Sequence, residues 1–154
     1  MAGLEVGDTL PDLELTGADG PIRLRDYIGK PLVLYFYPKD DTAGCTREAQ
    51  EFSAMGAEFA RAGAALLGVS KDTPAKHAKF AAKYALTVPL ASDEKGVIEA
   101  FGAWAPKKLY GREYMGIDRS TWLFDAAGTL VKTWRKVKVP GHVEQVLAAV
   151  KALG

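Results

Sequence analysis

The chain has 154 residues, 48% of them hydrophobic and 25% charged, which suits one folded domain that needs no metal or disulfide staple. Its 20 basic and 19 acidic residues leave a net charge of +1, against a nucleic-acid or membrane-surface binder, which would need concentrated positive charge. The lone cysteine, Cys45, excludes an internal disulfide framework and a multi-cysteine metal centre, and two histidines leave little for zinc.

The opening MAGLEVGDTLPDLEL carries acids early and has no cationic segment before an apolar stretch, so no signal peptide is expected. No apolar run approaches ~18 residues, so no membrane span is expected and the cytoplasm is the expected location. Two short strands, LELTG and PIRLRD, are joined by the turn ADGP. Residues 32–37, LVLYFY, are apolar without alternation and end at Pro38. That pattern fits a strand buried on both faces of a helix-covered sheet.

The polar loop PKDDTAG follows. Then Cys45, Ala49, Phe52, Met55 and Phe59 recur at helical spacing, with Thr42 placed to cap the helix. Residues 64–69 read as a second buried strand. Asp72-Thr73-Pro74 starts a helix on which Phe80, Ala81 and Tyr84 share a face. A short helix is expected around residues 96–101. The aromatic, charged segment WAPKKLYGREYMG reads as an exposed loop packed by its own aromatics, or as the mouth of a site. Residues 121–124 and 130–137 read as strands joined by the turn DAAG, with Trp122 and Trp134 in the sheet core. Arg135, Lys136 and Lys138 read as a solvated face. Val143, Val146, Leu147 and Val150 stripe the last helix. The order implies a mixed α/β sheet with helices on both faces.

Cys45 falls in the first turn of a helix, directly after a buried strand and its loop. Free backbone N–H groups and the positive dipole end face a side chain placed there, and both favour thiolate over thiol. The Thr42 hydroxyl, three residues earlier, can point at the sulfur or at a bound ligand. A small hydrophobe packed on the inner helix face is the other reading of the position.

YFYPKDDTAGCTREAQEF resembles the active-site segment of the peroxiredoxins, with their Pro-x-x-x-Thr-x-x-Cys pattern at Pro38, Thr42 and Cys45. YFYPKDDT, GIDRSTWLFD, TWRKVKVPGH and VGDTLPDLEL resemble the bacterioferritin-comigratory-protein, or peroxiredoxin Q, subfamily, in order and over nearly the whole chain. The resemblance implies a thioredoxin-like α/β fold with an N-terminal β extension, a mixed central sheet flanked by helices, and one domain over residues 1–154. It implies a peroxidase acting on hydrogen peroxide and organic hydroperoxides without metal, flavin or haem. Thioredoxin or another thiol would be the reductant, and the protein would be a monomer with no nucleic-acid or membrane partner. Cys45 would be the peroxidatic nucleophile, Arg119 and Thr42 its donors, and Pro38 a shield for the sulfur. Alone, Arg119 would read as a solvated cation at a strand end.

The chain departs from the subfamily where a resolving cysteine would stand. Gln50 occupies one position and Ala81, within KHAKFAAK, the other. Either the chain is a natural one-cysteine peroxidase resolved by an outside thiol, or Ala81 is an engineered Cys→Ala change. Ala43 stands where the subfamily often has proline. His77 and His142 lie far from Cys45 in sequence and read as surface or packing residues. Two rival classes remain. A thiol–disulfide oxidoreductase would want Cys-x-x-Cys, and Glu48 counts against it, although a redox sensor using the same sulfenic acid survives that test. A binding module with an inert cysteine is the second.

Overall fold

The computed structural model describes residues 3–153. Its central sheet has seven strands in the order β2-β1-β5-β4-β3-β8-β9. Inside it, β3 (Leu32–Phe36) has all five of its side chains buried. Leu32, Leu34 and Phe36 enter one apolar layer with Phe101 and Trp122, while Val33 and Tyr35 enter another with Cys45 and Phe52. A strand sandwiched in this way has no polar face, which is why its sequence does not alternate.

Strand β3 pairs in parallel with β4 (Ala65–Ser70), and β4 with β5 (Leu90–Ser92). On its other side β3 runs antiparallel to β8 (Ser120–Phe124), which pairs with β9 (Leu130–Trp134). The N-terminal hairpin of β1 (Glu14–Gly17) and β2 (Gly20–Arg23) joins at β5 through Thr16 and Ser92. This is the mixed α/β architecture, with an N-terminal β extension, that the sequence predicts.

Helix α1 (Ala43–Ala54) follows β3, and α3 (Pro74–Tyr84) follows β4. The Thr73 side chain caps α3 by accepting from the Lys76 N–H at 3.2 Å, and Pro74 opens the first turn. Helix α4 (Val97–Phe101) is short, and α5 (His142–Ala152) closes the fold. Among the described residues no helix is long and apolar enough to cross a membrane.

Three local expectations change. The helix expected to run through Phe59 breaks at Met55 (φ −97°, ψ 7°) and resumes as α2 (Gly56–Arg61). Just before the break, the Ser53 hydroxyl accepts from the Thr87 and Val88 N–H groups and fixes the approach to β5. The segment read as a loop is a separate hairpin, β6 (Trp104–Leu109) and β7 (Arg112–Ile117). Its turn residues Tyr110 and Gly111 both have positive φ (52° and 76°), as a two-residue mirror-image turn requires. Tyr110 is 96% exposed there, so the segment is held by strand pairing and not by its own aromatics. The last strand ends at Trp134, which is only half-buried, whereas Trp122 is fully buried.

Candidate active site

Cys45 lies in the first turn of α1 and is 1% exposed. Arg119 sits between β7 and β8, beside Ser120, which pairs with Phe36 at the end of β3. The chain leaves that end of β3 through Pro38 and the loop that leads to Cys45. Antiparallel pairing of β3 with β8 therefore carries Arg119 to the cysteine across 74 residues of sequence.

The guanidinium donates through Nη2 to Cys45 Sγ at 3.2 Å and through Nη1 to Glu48 Oε1 at 2.8 Å. Two fixed acceptors suit its planar fork. Burial opposes the Arg119 charge, but Glu48 and Cys45 outweigh it and raise the arginine further. Glu48 lies one turn beyond Cys45 on the same helix face and is fully buried. Burial pushes its carboxyl up to about 7 although Arg119 pulls it down, and its Oε2 has no hydrogen-bond partner. Burial thus works against the Glu48 charge while the bond from Arg119 supports it.

Gly44 makes room for this arrangement. A Cβ there would lie 3.1 Å from Arg119 Nη2. Gly68 does the same for Tyr35, whose ring would meet a Cβ at 2.5 Å and instead stacks on Phe52 with centroids 4.5 Å apart. The hairpin contributes Lys107, whose ammonium is lowered by partial burial and by the Arg119 charge.

Thr42 is at the N-cap of α1, as expected, but its hydroxyl makes no cap bond. It donates instead to the Lys39 carbonyl at 2.8 Å, so it is not aimed at the sulfur in this state and retains only acceptor capacity. Pro38 is half-buried at the start of the loop. Gln50 is exposed on α1. Ala81 is half-buried and lines a cavity of about 130 Å³ with Thr16, His77, Val88 and Leu90, none of them from α1. Thus Cys45 and Arg119 meet, Thr42 and Pro38 frame the loop, and Ala81 faces elsewhere. Among the described residues no cluster of three or more His, Cys, Asp or Glu is placed to hold a metal ion.

Sequence reading overlooked Glu48, Gly44 and Lys107 as parts of the site. The spacing of Glu48 from Cys45 puts both on one helix face, a signal that a carboxylate would be carried inward with the sulfur. Both histidines are buried, His142 under a hydrogen bond of 2.7 Å with the Thr121 hydroxyl.

A buried cysteine at a helix start, bonded by a fixed arginine beside a mixed sheet of this order, makes a candidate thiol site on a thioredoxin-like fold. The chain belongs to the AhpC/TSA family, whose family model matches residues 6–133. It is 50% identical to peroxiredoxin Bcp of Bacillus subtilis over 150 residues, 96% of each chain. It superimposes on peroxiredoxin Q of Xanthomonas campestris with a TM-score of 0.88 at 46% identity, covering 98% of this chain and 97% of that one. A cysteine-to-serine mutant of Xylella fastidiosa peroxiredoxin Q gives a TM-score of 0.91 at 39% identity, covering 99% and 98%. The chain is accordingly a peroxiredoxin: a peroxidase that takes peroxide substrates and a thiol reductant.

Proposed function

We propose that Cys45 is the peroxidatic nucleophile and that residues 1–154 form one thioredoxin-like peroxiredoxin domain, acting as a monomer in the cytoplasm. The observation that carries this reading is the 3.2 Å bond from Arg119 to the buried sulfur. The Cys45 thiolate attacks the terminal oxygen of a hydroperoxide. An S–O bond forms as the O–O bond breaks, and the leaving oxygen takes a proton to depart as water or an alcohol. Cys45 becomes a sulfenic acid. Charge develops on both oxygens, and Arg119 with the first-turn N–H groups of α1 is placed to meet it. Thr42 accepts from the peroxide O–H while its own hydroxyl keeps donating to the Lys39 carbonyl. Pro38 covers the approach.

Hydrogen peroxide and small organic hydroperoxides fit a site this buried. A structure of the Xanthomonas campestris bacterioferritin comigratory protein is described as giving insight into alkyl peroxide reduction by that protein. Resolution comes from outside the chain, because Gln50 and Ala81 hold the two positions where the family resemblance implies a resolving cysteine. Two solved structures of Xanthomonas campestris peroxiredoxin Q carry cysteine-to-serine changes separated by the same interval as Cys45 and Ala81. A thiol, with thioredoxin first by family, attacks the sulfenic sulfur and releases water. A second thiol attacks the mixed disulfide and restores Cys45. Natural and engineered origins of Ala81 predict the same chemistry.

The test is intact mass of the reduced protein after one equivalent of hydrogen peroxide, with and without added thiol. Gain of one oxygen on Cys45, converted by thiol to a mixed disulfide, is the expected result. The Cys45→Ser variant should gain none. An unchanged mass while peroxide persists would overturn the reading in favour of an inert cysteine.

A further inference from the structure

The loop that delivers Cys45 is not held by its N-cap, since the Thr42 side chain caps nothing. It is held by Asp40, and Asp40 is held by His77 from α3. Both are buried, at 8% and 5% exposure. Asp40 Oδ1 accepts from the Tyr37 hydroxyl at 2.5 Å, and Asp40 Oδ2 lies 2.6 Å from His77 Nδ1. The Asp40 N–H donates to Asp72 Oδ2 at 2.8 Å, which also accepts from the Ser70 hydroxyl. His77 Nε2 lies 3.0 Å from the Ala91 carbonyl on β5. Asp40 thus ties the loop to the end of β3 through its carboxylate, to the end of β4 through its N–H, and to β5 through the imidazole.

His77 Nδ1 also lies 3.3 Å from the Tyr37 hydroxyl, but that hydroxyl donates to Asp40 Oδ1, so the proton count follows from the Ala91 and Asp40 contacts. A backbone carbonyl can only accept, so Nε2 carries a hydrogen. An ionised carboxylate can also only accept, so Nδ1 either carries a second hydrogen or faces a protonated Oδ2. In both arrangements the pair holds one proton more than a neutral imidazole beside a carboxylate, and its net charge is zero. A buried pair of this kind is weak as a source of stability, since apolar side chains of similar volume serve as well. Its value lies in geometry: it fixes direction where a cap is missing.

We propose that Asp40 and His77 form a buried, proton-sharing pair that sets the loop of residues 38–42 against Cys45, making both of them positioning residues for peroxide reduction. The neighbouring Asp41 extends the same device. It sits at φ 60°, a strained conformation for a residue other than glycine, and accepts from Lys83 Nζ at 2.8 Å and from the Tyr84 hydroxyl on α3. Helix α3 therefore anchors the loop at two consecutive residues.

The positioning role rests on Cys45 being the peroxidatic residue, whereas the proton count does not, and the experiment separates them. In the unmodified protein at neutral pH, nitrogen NMR of His77 should show Nε2 protonated, with Nδ1 either protonated or bonded to a proton on Asp40. A ring protonated at Nδ1 alone would overturn the pairing whatever Cys45 does. His77→Phe keeps the ring volume and removes both bonds. It should lower the second-order rate of Cys45 oxidation by peroxide about tenfold or more, the size expected when a reacting group is misplaced from a distance. Alkylation of Cys45 by iodoacetamide, which does not need peroxide aligned, should change much less. Asp40→Asn can accept from Tyr37 and donate to a neutral His77, so it should recover most of the peroxide rate. A folded His77→Phe variant with the full peroxide rate, or an Asp40→Asn variant as slow as His77→Phe, would overturn the positioning role. No oxidation of Cys45 even in the unmodified protein would instead indict the reading of the active site.

Discussion

At the scale of single residues the site depends on how closely backbone and guanidinium approach. Arg119 bonds both Glu48 and Cys45, so its head cannot swing aside without losing one of them. Gly44 lies against it, and the 3.1 Å that a Cβ would leave to Nη2 is tighter than an unstrained contact. Helix propensity alone would favour alanine over glycine there by about 1 kcal/mol. Gly44→Ala is therefore expected to stay folded and to react with peroxide about tenfold more slowly, because the displaced arginine no longer meets the sulfur and the developing charge together. Stopped-flow oxidation beside a melting curve checks this. An unchanged rate would mean that Arg119 can shift and still serve. The Thr-x-x-Cys spacing was readable as a local motif, whereas the arginine was picked out only by the family resemblance of the segment that carries it. The glycine's role was not readable, since it is defined by a side chain 75 positions away in the chain.

At the scale of elements, local pattern carried furthest where both sides of an element are buried. Strand β3 was legible from its unbroken apolar run, and α5 from the stripe of Val143, Val146, Leu147 and Val150. The β6–β7 hairpin was not, because β7 is exposed over its first four residues and the described side chains of β6 are at most half-buried, so neither strand shows a long apolar face. The start of α5 shows a second kind of hidden information. His142 is its first residue, buried, edge-on to Phe52 and Trp134. Burial, helped by the Arg119 charge, lowers it to about 4 from the usual 6.5. The positive end of the helix also disfavours an imidazolium there. Between these two values the unfolded chain binds a proton that the folded chain refuses, so this residue's contribution to stability is lost as pH falls from about 6.5 through about 4. Glu48 has the opposite slope over an overlapping window, since its folded value is raised to about 7. A comparison of variants isolates the histidine. His142→Gln, which can still accept from Thr121, should lose less stability than the parent in urea denaturation between pH 7 and pH 4.5. Equal losses would show that His142 takes up its proton in the fold.

At the scale of the whole molecule, the question is how a sulfur that is 1% exposed meets a second sulfur. Disulfide geometry needs Cα atoms about 4.4–6.8 Å apart with their side chains converging. Ala81 and Cys45 stand on different helices, and Ala81 lines a cavity with Thr16, His77, Val88 and Leu90, none of them from α1. The helix that bears Ala81 is the one that anchors the Cys45 loop through His77, Lys83 and Tyr84. With Cys45 as the proposed peroxidatic residue, this anchor keeps its loop set for peroxide, and an internal route is expected to release α3 or the start of α1 first. A81C tests this directly. After one equivalent of hydrogen peroxide it should first gain one oxygen, then lose water to form an internal disulfide in a slower, separate phase. That phase should bring a loss of helical circular dichroism. Loosening the anchor with His77→Phe in the same chain should speed the second phase while slowing the first. Disulfide formation as fast as oxidation, with no loss of helix, would mean that the two positions already converge and that α3 does not restrain the loop. An oxidised A81C protein that never forms the bond would mean that the anchor holds against unwinding, leaving reduction by an outside thiol as the only exit for the sulfenic acid.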